Sequence, residues 1–266
     1  MLSDPNFYYL ACPIILLVGA SKGGFGGGLG LLAVPILSLM VDPRFAAALM
    51  LPILCAMDLV GLYKFRLVWD RQLIGALLPG ALVGTVFGAL SFEIINADLL
   101  RASIGIIALC FASFYLFQEY SNIKSNTKNL TTKENTDKHK VANSKSLNYQ
   151  GTFWGAITGF TSYIAHAGGP PMTIFLLLQK LPKSKFVSTT IVFFAAINFI
   201  KLIPYITLGQ ISKTSLMTSL VLLPLAPIGV LIGIALHRRI PEKVFFRITY
   251  ILLLFAGLKL CYEAFF

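Results

Sequence analysis

Near the start of the chain, Gly19-Ala20-Ser21-Lys22-Gly23-Gly24-Phe25-Gly26-Gly27-Gly28-Leu29-Gly30 lies between two apolar runs. A glycine inside a helix costs about 0.5–1 kcal/mol relative to alanine, so this cluster predicts an interrupted helix. Two readings fit the stretch taken alone. One is unwound backbone inside a membrane, tolerated where it lines a cavity and able there to bind an ion or solute. The other is close helix packing through small residues.

Composition settles the surroundings. Of 266 residues, 56% are hydrophobic and 12% charged, and the mean hydropathy is +0.78. A soluble domain carries about 25% charged residues, so the chain reads as an integral membrane protein. Met1-Leu2-Ser3-Asp4-Pro5 lacks a positive leader, and the first apolar run is expected to stay in the mature chain. Cys12, Cys55, Cys110 and Cys261 sit singly in separate apolar runs and read as small core residues. The net charge of +11 resides in loops and forms no basic face with interleaved aromatics. It predicts no nucleic acid; it fits positive-inside topology and, more weakly, an anionic cargo.

Apolar runs fall near 6–21, 29–41, 45–63, 72–92, 97–117, 150–165, 171–181, 186–208, 214–236 and 244–266; six are long enough to cross a bilayer core, and those at 29–41 and 171–181 are short. A crossing helix needs about 20 residues, so the two short runs cannot span. Each follows a breaker: Gly26-Gly27-Gly28 in the first case, His166-Ala167-Gly168-Gly169-Pro170-Pro171 in the second. Proline suits a helix's first turn, so Pro170-Pro171 reads as a start.

The halves repeat. Gly159 answers Gly19 and Asn198 answers Asp58 at one spacing, and Leu222-Leu223-Pro224 through Gly233 answers Leu77-Leu78-Pro79 through Gly88 at a slightly longer one. Lys64, Arg66 and Arg71 mark the 64–71 loop as inside, and Glu93 and Asp98 mark 93–101 as outside. In the second half the signs move by one place: Lys180, Lys183 and Lys185 read inside, 209–213 outside, and His237-Arg238-Arg239 inside. Matching segments therefore run in opposite directions. The polar stretch 120–148 reads as a disordered cytoplasmic loop, with both termini outside. The segment 149–182 is either a hairpin of two half-helices or two crossing limbs with irregular middles; its short second limb favours the hairpin.

The expected fold is an all-α polytopic membrane protein of two inverted repeats, each a broken-helix hairpin plus three full transmembrane helices. The first repeat covers 1–119, the loop 120–148 and the second repeat 149–266. Inverted-repeat transporters bind cargo near mid-membrane between the halves.

Helix starts at Gly28 and Pro170 attract anions, because such a start carries about half a positive charge and free amides. Ser21, Lys22, Gly23, Gly24, Gly26, Gly27, Gly28, Ser162, His166, Gly168, Gly169, Asn198 and Lys201 are the candidate substrate-binding residues. Ionisable groups at such depth are functional candidates, although Lys201 has the stem to snorkel outward. Asp58 reads either as a structural ion-pair partner or as a proton carrier, and His166 as a coupling group or a satisfied structural one. Gly28-Leu29-Gly30-Leu31-Leu32-Ala33 fits a dinucleotide pattern but no strand precedes it. Neither a cofactor, a metal cluster nor a nucleophile–base pair is expected, so the chain does not read as an enzyme. A small anion and the bilayer are the expected partners; coupling to protons and association with further copies of the chain are left open.

These motifs carry a resemblance. Gly19-x-x-Lys22-Gly23-Gly24-Phe25-Gly26-Gly27-Gly28, Pro35, Asp42-Pro43-Arg44, Asp58, Ser162-x-x-x-His166-Ala167-Gly168-Gly169-Pro170-Pro171 and Asn198-x-x-Lys201 resemble the sulfite exporter TauE/SafE family, also called the 4-toluene sulfonate uptake permease family. The resemblance implies a bacterial inner-membrane permease for small sulfur-containing or organic anions, with export common and proton coupling suspected. It supplies the sulfur; composition and spacing supply only the negative charge of the cargo.

Overall fold

The computed structural model describes residues 5–24, 30–65, 69–128, 144–236 and 242–265. Among them run eleven helices and no strand: α1 (Pro5–Gly24), α2 (Gly30–Leu37), α3 (Pro43–Phe65), α4 (Arg71–Ile94), α5 (Ala97–Lys128), α6 (Ser144–Ala165), α7 (Gly169–Leu178), α8 (Lys183–Thr207), α9 (Lys213–Leu222), α10 (Leu225–Leu236) and α11 (Glu242–Phe265). Six of these helices are long and apolar enough to cross a membrane, and the bent pair α9–α10 makes a seventh candidate. The outer faces of α4, α9 and α11 expose apolar side chains such as Phe87, Val221 and Phe255. Hydrocarbon is the solvent that suits such faces.

Local chemistry sets the helix starts. Asp42 accepts from the amide of Arg44 at 2.8 Å ahead of Pro43, Asp70 caps α4 through Gln72 and Leu73, and Ser212 caps α9 through Ser215. Each satisfies amides that a helix start leaves free.

Close packing sets the arrangement. On α4, Cβ atoms added at Gly80 and Gly84 would lie 1.8 and 2.0 Å from the carbonyls of Thr152 and Ala156 on α6. On α1, Gly23 and Gly24 abut Val230 and Gly233 of α10 as closely, and Gly19 meets Gly229. Small residues let membrane helices approach where no hydrophobic drive pulls them together. The first limb of each interrupted hairpin therefore packs on the other half of the chain. The remaining principal pairs are α3 with α8 and α5 with α11. Exchanging the halves maps this pairing onto itself, which is consistent with the expected repeat.

Three details differ from the sequence reading. Each interrupted hairpin has a full-length first limb, α1 or α6, of 20 or 22 residues and a short second limb, α2 or α7, of 8 or 10. They are not pairs of half-helices, because helix continues into the polar residues 144–149 ahead of the apolar run. The 120–148 loop is shortened likewise: α5 runs to Lys128 and α6 starts at Ser144, and 129–143 lie outside the described residues. Finally, the run 214–236 bends by 42° between α9 and α10, whereas its counterpart α4 stays continuous through Pro79. Pro224 and Pro227 remove two successive helical hydrogen bonds where α4 loses one.

Two glycines on α4 test this packing. A Cβ at Gly75 meets nothing within 4 Å, so Gly75→Ala is expected to leave the melting temperature of the detergent-solubilised protein unchanged or raised, whereas Gly84→Ala lowers it.

The α4 cap supplies a pH test. Burial pushes the Asp70 carboxyl up, but Lys185 and the amides of Leu73 and Gln72 outweigh it and hold it below the usual carboxylate range; the Lys185 contact is 2.7 Å. This stabilisation is present above the unfolded value of about 3.9 and fades as pH falls through the lower folded value. Asp70→Ala is therefore expected to cost about 1 kcal/mol near neutrality, with the gap from wild type narrowing in unfolding scans toward about pH 3.

Candidate functional site

The two short helices begin beside each other. A Cβ added to Gly30, the first residue of α2, would lie 3.2 Å from the carbonyl of His166, just ahead of α7. Around this meeting point stand the end of α1, the middle of α3, the α6–α7 turn and the middle of α8.

Asp58 on α3 is 1% exposed. Its carboxylate accepts from Lys22 at 2.5 Å and from the Asn198 amide at 2.6 Å. The duplicated positions 58 and 198 thus bond to each other across the halves, and the Lys22 ammonium also lies 3.4 Å from the Leu54 carbonyl.

Lys201 on α8 is fully buried, so it does not snorkel. Its ammonium contacts the Ser162 carbonyl at 2.9 Å, the Ser162 hydroxyl at 3.0 Å and His166 Nδ1 at 3.0 Å. His166 Nε2 lies 2.9 Å from the Ala47 carbonyl. A carbonyl only accepts, so the imidazole proton sits on Nε2 and Nδ1 accepts from the lysine. The 3.2 Å approach of Nδ1 to the Ser162 carbonyl is then a contact between two acceptors. All three ammonium hydrogens are engaged by protein, which holds Lys201 behind Ser162 and His166.

The α6–α7 turn has the backbone this requires. His166 has φ 51°, in the left-handed region where glycine commonly ends a helix. Histidine is among the few other residues enriched there. Its amide returns to the Ser162 carbonyl and that of Ala167 to Thr161. A glycine would turn the chain but could not bridge Lys201 to α3.

The start of α7 offers fewer donors than the sequence reading expected. Pro170 and Pro171 carry no N–H, and the amide of Met172 bonds the Gly168 carbonyl. The amides of Gly168 and Gly169 are what remains, while the helix dipole is unaffected.

A cavity of about 10 Å³ occupies the meeting point, lined by Lys22, Gly30, Leu54, Ser162, His166, Gly169, Phe194 and Asn198. That is roughly the volume needed for one water. The buried charged residues around it are Lys22, Lys201 and Asp58, so with a neutral imidazole the site holds one cation more than it has anions.

The structure gathers Lys22, Asp58, Ser162, His166, Gly169, Asn198 and Lys201 into one cluster. Ser21 is buried on α1 beside Lys22. Gly168 sits against Ser162, the Thr158 carbonyl and the Phe194 ring. Gly23 and Gly24 face α10 instead, where they permit helix contact. Gly26, Gly27 and Gly28 lie outside the described residues. Four contributors were missed from sequence: Gly30, Leu54 and Phe194 in the cavity wall and the Ala47 carbonyl. Leu54 and Phe194 occupy matching places in the repeated runs ending at Asp58 and Asn198, so the duplication already carried their signal. The Ala47 carbonyl left none, being backbone.

The family model described as Sulfite exporter TauE/SafE matches residues 11–260, nearly the whole chain. The chain belongs to the sulfite exporter TauE/SafE family. No curated protein and no solved structure gives a significant match. As a TauE/SafE member it is a multi-pass membrane protein of an anion-exporting family, and its buried surplus of positive charge accords with that.

The Lys22–Asp58 pair provides a direct test. Breaking a buried pair by removing one partner costs about 3–5 kcal/mol, whereas replacing both with apolar groups is often near neutral. Lys22→Met and Asp58→Leu are each expected to lower the melting temperature in detergent, and the double variant to recover much of the loss in a double-mutant cycle.

Proposed function

We propose that this chain is a secondary transporter for a small sulfur-containing or organic oxyanion, working by alternating access between the segments 1–119 and 149–266. The observation that carries this reading is the second buried lysine: among the described residues Lys201 has no carboxylate in ion-pair contact, and an anion beside Ser162 and Gly169 would balance it. A four-heavy-atom oxyanion is larger than the present cavity, so the site must open further to load it. The basic 64–71 and 180–185 connections place one end of the bundle in the cytoplasm under the positive-inside rule. Both termini then face outside, in a bacterial inner membrane.

Asp58 is a tethered competitor for the cargo. It holds Lys22 while charged, and a cargo anion needs the same lysine. Protonating Asp58 removes the competitor, so proton and anion reinforce each other's binding. The groups bonded to the Asp58 carboxylate are Lys22 from α1 and Asn198 from α8. His166 supports the site as the neutral link between Lys201 and α3. No cofactor or chemical change of the cargo is involved.

Proteoliposome flux tests this. Wild-type protein is expected to show saturable sulfite or sulfonate flux that accelerates under an imposed pH step. Lys201 acts on the anion through its charge and not through a direct hydrogen bond, a coulombic contribution of about 2 kcal/mol at a partly buried site, so Lys201→Met should weaken anion binding about tenfold or more. Asp58→Asn should keep anion exchange while losing the response to the pH step. No saturable flux with any small oxyanion contradicts the reading; flux that never accumulates cargo points to a channel instead.

A further inference from the structure

A second cavity, again about 10 Å³, lies beside the first and is lined by Lys22, Met57, Asp58, Gly61, Thr190, Ile191 and Phe194. Lys22 and Phe194 line both cavities. Lys22 is fixed by its bond to Asp58, whereas Phe194 is an apolar ring that packs edge-on against Phe193 at 5.5 Å between centroids. Its Cε1 would lie 3.1 Å from a Cβ on Gly168, so the ring rests on the turn that opens α7. The second cavity reaches about two turns further along α3, from Leu54 to Gly61, and one turn nearer the start of α8, to Thr190, toward the basic 64–71 and 180–185 connections.

We propose that Phe194 sets the size of the anion this site accepts and is the partition between the site and its passage to the basic end of the bundle. The inference rests on the transport reading above and adds a residue that limits the cargo. Either cavity alone has room for about one water. Turning the Phe194 ring would join them into a single chamber with the Lys22 ammonium on its wall, which the opening of the site then widens for the cargo. The matching position in the first half is Leu54, a smaller side chain on the first cavity only. The two halves therefore wall the cargo unequally, and the larger ring faces the basic end.

The test is competitive flux in proteoliposomes with sulfite against larger organic sulfonates, methanesulfonate and benzenesulfonate. Removing methylene-scale bulk from a pocket changes discrimination by about tenfold or more. Phe194→Ala is therefore expected to raise the benzenesulfonate-to-sulfite ratio about tenfold, Phe194→Leu by less, and Phe194→Trp to depress sulfite flux itself. Leucine and tryptophan keep the position apolar and filled, so they decide the question should the alanine variant fail to fold. An unchanged ratio across folded variants that still carry sulfite overturns the role of Phe194 and leaves the transport reading standing. Absence of saturable flux in the wild type overturns the transport reading, and this inference with it.

Discussion

A charge taken into a protein interior must find an opposite charge, a full set of hydrogen bonds, or both, because desolvation costs several kcal/mol per ion. Here Asp58 answers Lys22, and Asn198 completes the carboxylate's shell. Lys201 receives hydrogen bonds but no countercharge: two oxygens of Ser162 and a ring nitrogen of His166 take its hydrogens. Neutral acceptors stabilise an ammonium only in part. The residue is tolerable in this position if a guest supplies the missing negative charge, and the rest of the structure is arranged to keep that guest's place closed to lipid.

Two devices keep it closed. Helices α4 and α6 approach until glycine is the only residue that fits at several contacts, and α1 meets α10 in the same way. These contacts clamp the first limb of each hairpin to the opposite half and so fix where α2 and α7 begin. The whole of α2 is buried, a placement that suits a helix too short to span. At the other end of the bundle Arg44 reaches the carbonyls of Phe92 and Ile95, tying the start of α3 to the end of α4. The polar cluster thus sits among closely packed helices, with Phe194 between its two cavities.

Much of this was legible in the residues. Glycine clusters and short apolar runs gave the two interruptions, and the repeated spacing marked Asp58 and Asn198 as counterparts, though not that they bond to each other. Period and composition could not supply limb length, because the helices at 128 and 144 extend through polar residues that carry no apolar signal. Nor did they foresee the bend at Pro224, since Pro79 in the matching place leaves α4 unbroken; the extra Pro227 decides it. Gly23 and Gly24 looked like lining for a cavity, yet they serve contact with α10, which no pattern within α1 could reveal. Lys201 was read as either buried or snorkelling, and its three hydrogen bonds, two of them to a residue on a different helix of the same half, resolve that choice.

Selenite is a heavier likeness of sulfite whose selenium scatters anomalously, so its position in a crystal of the protein can be located without reference to the chain. The account places one selenium peak at the meeting of α2 and α7, its oxygens about 3 Å from the Ser162 hydroxyl, the Gly169 amide and the Lys22 ammonium. Selenite bound elsewhere in transport-competent protein, with Lys201 still lacking an anion beside it, would contradict it.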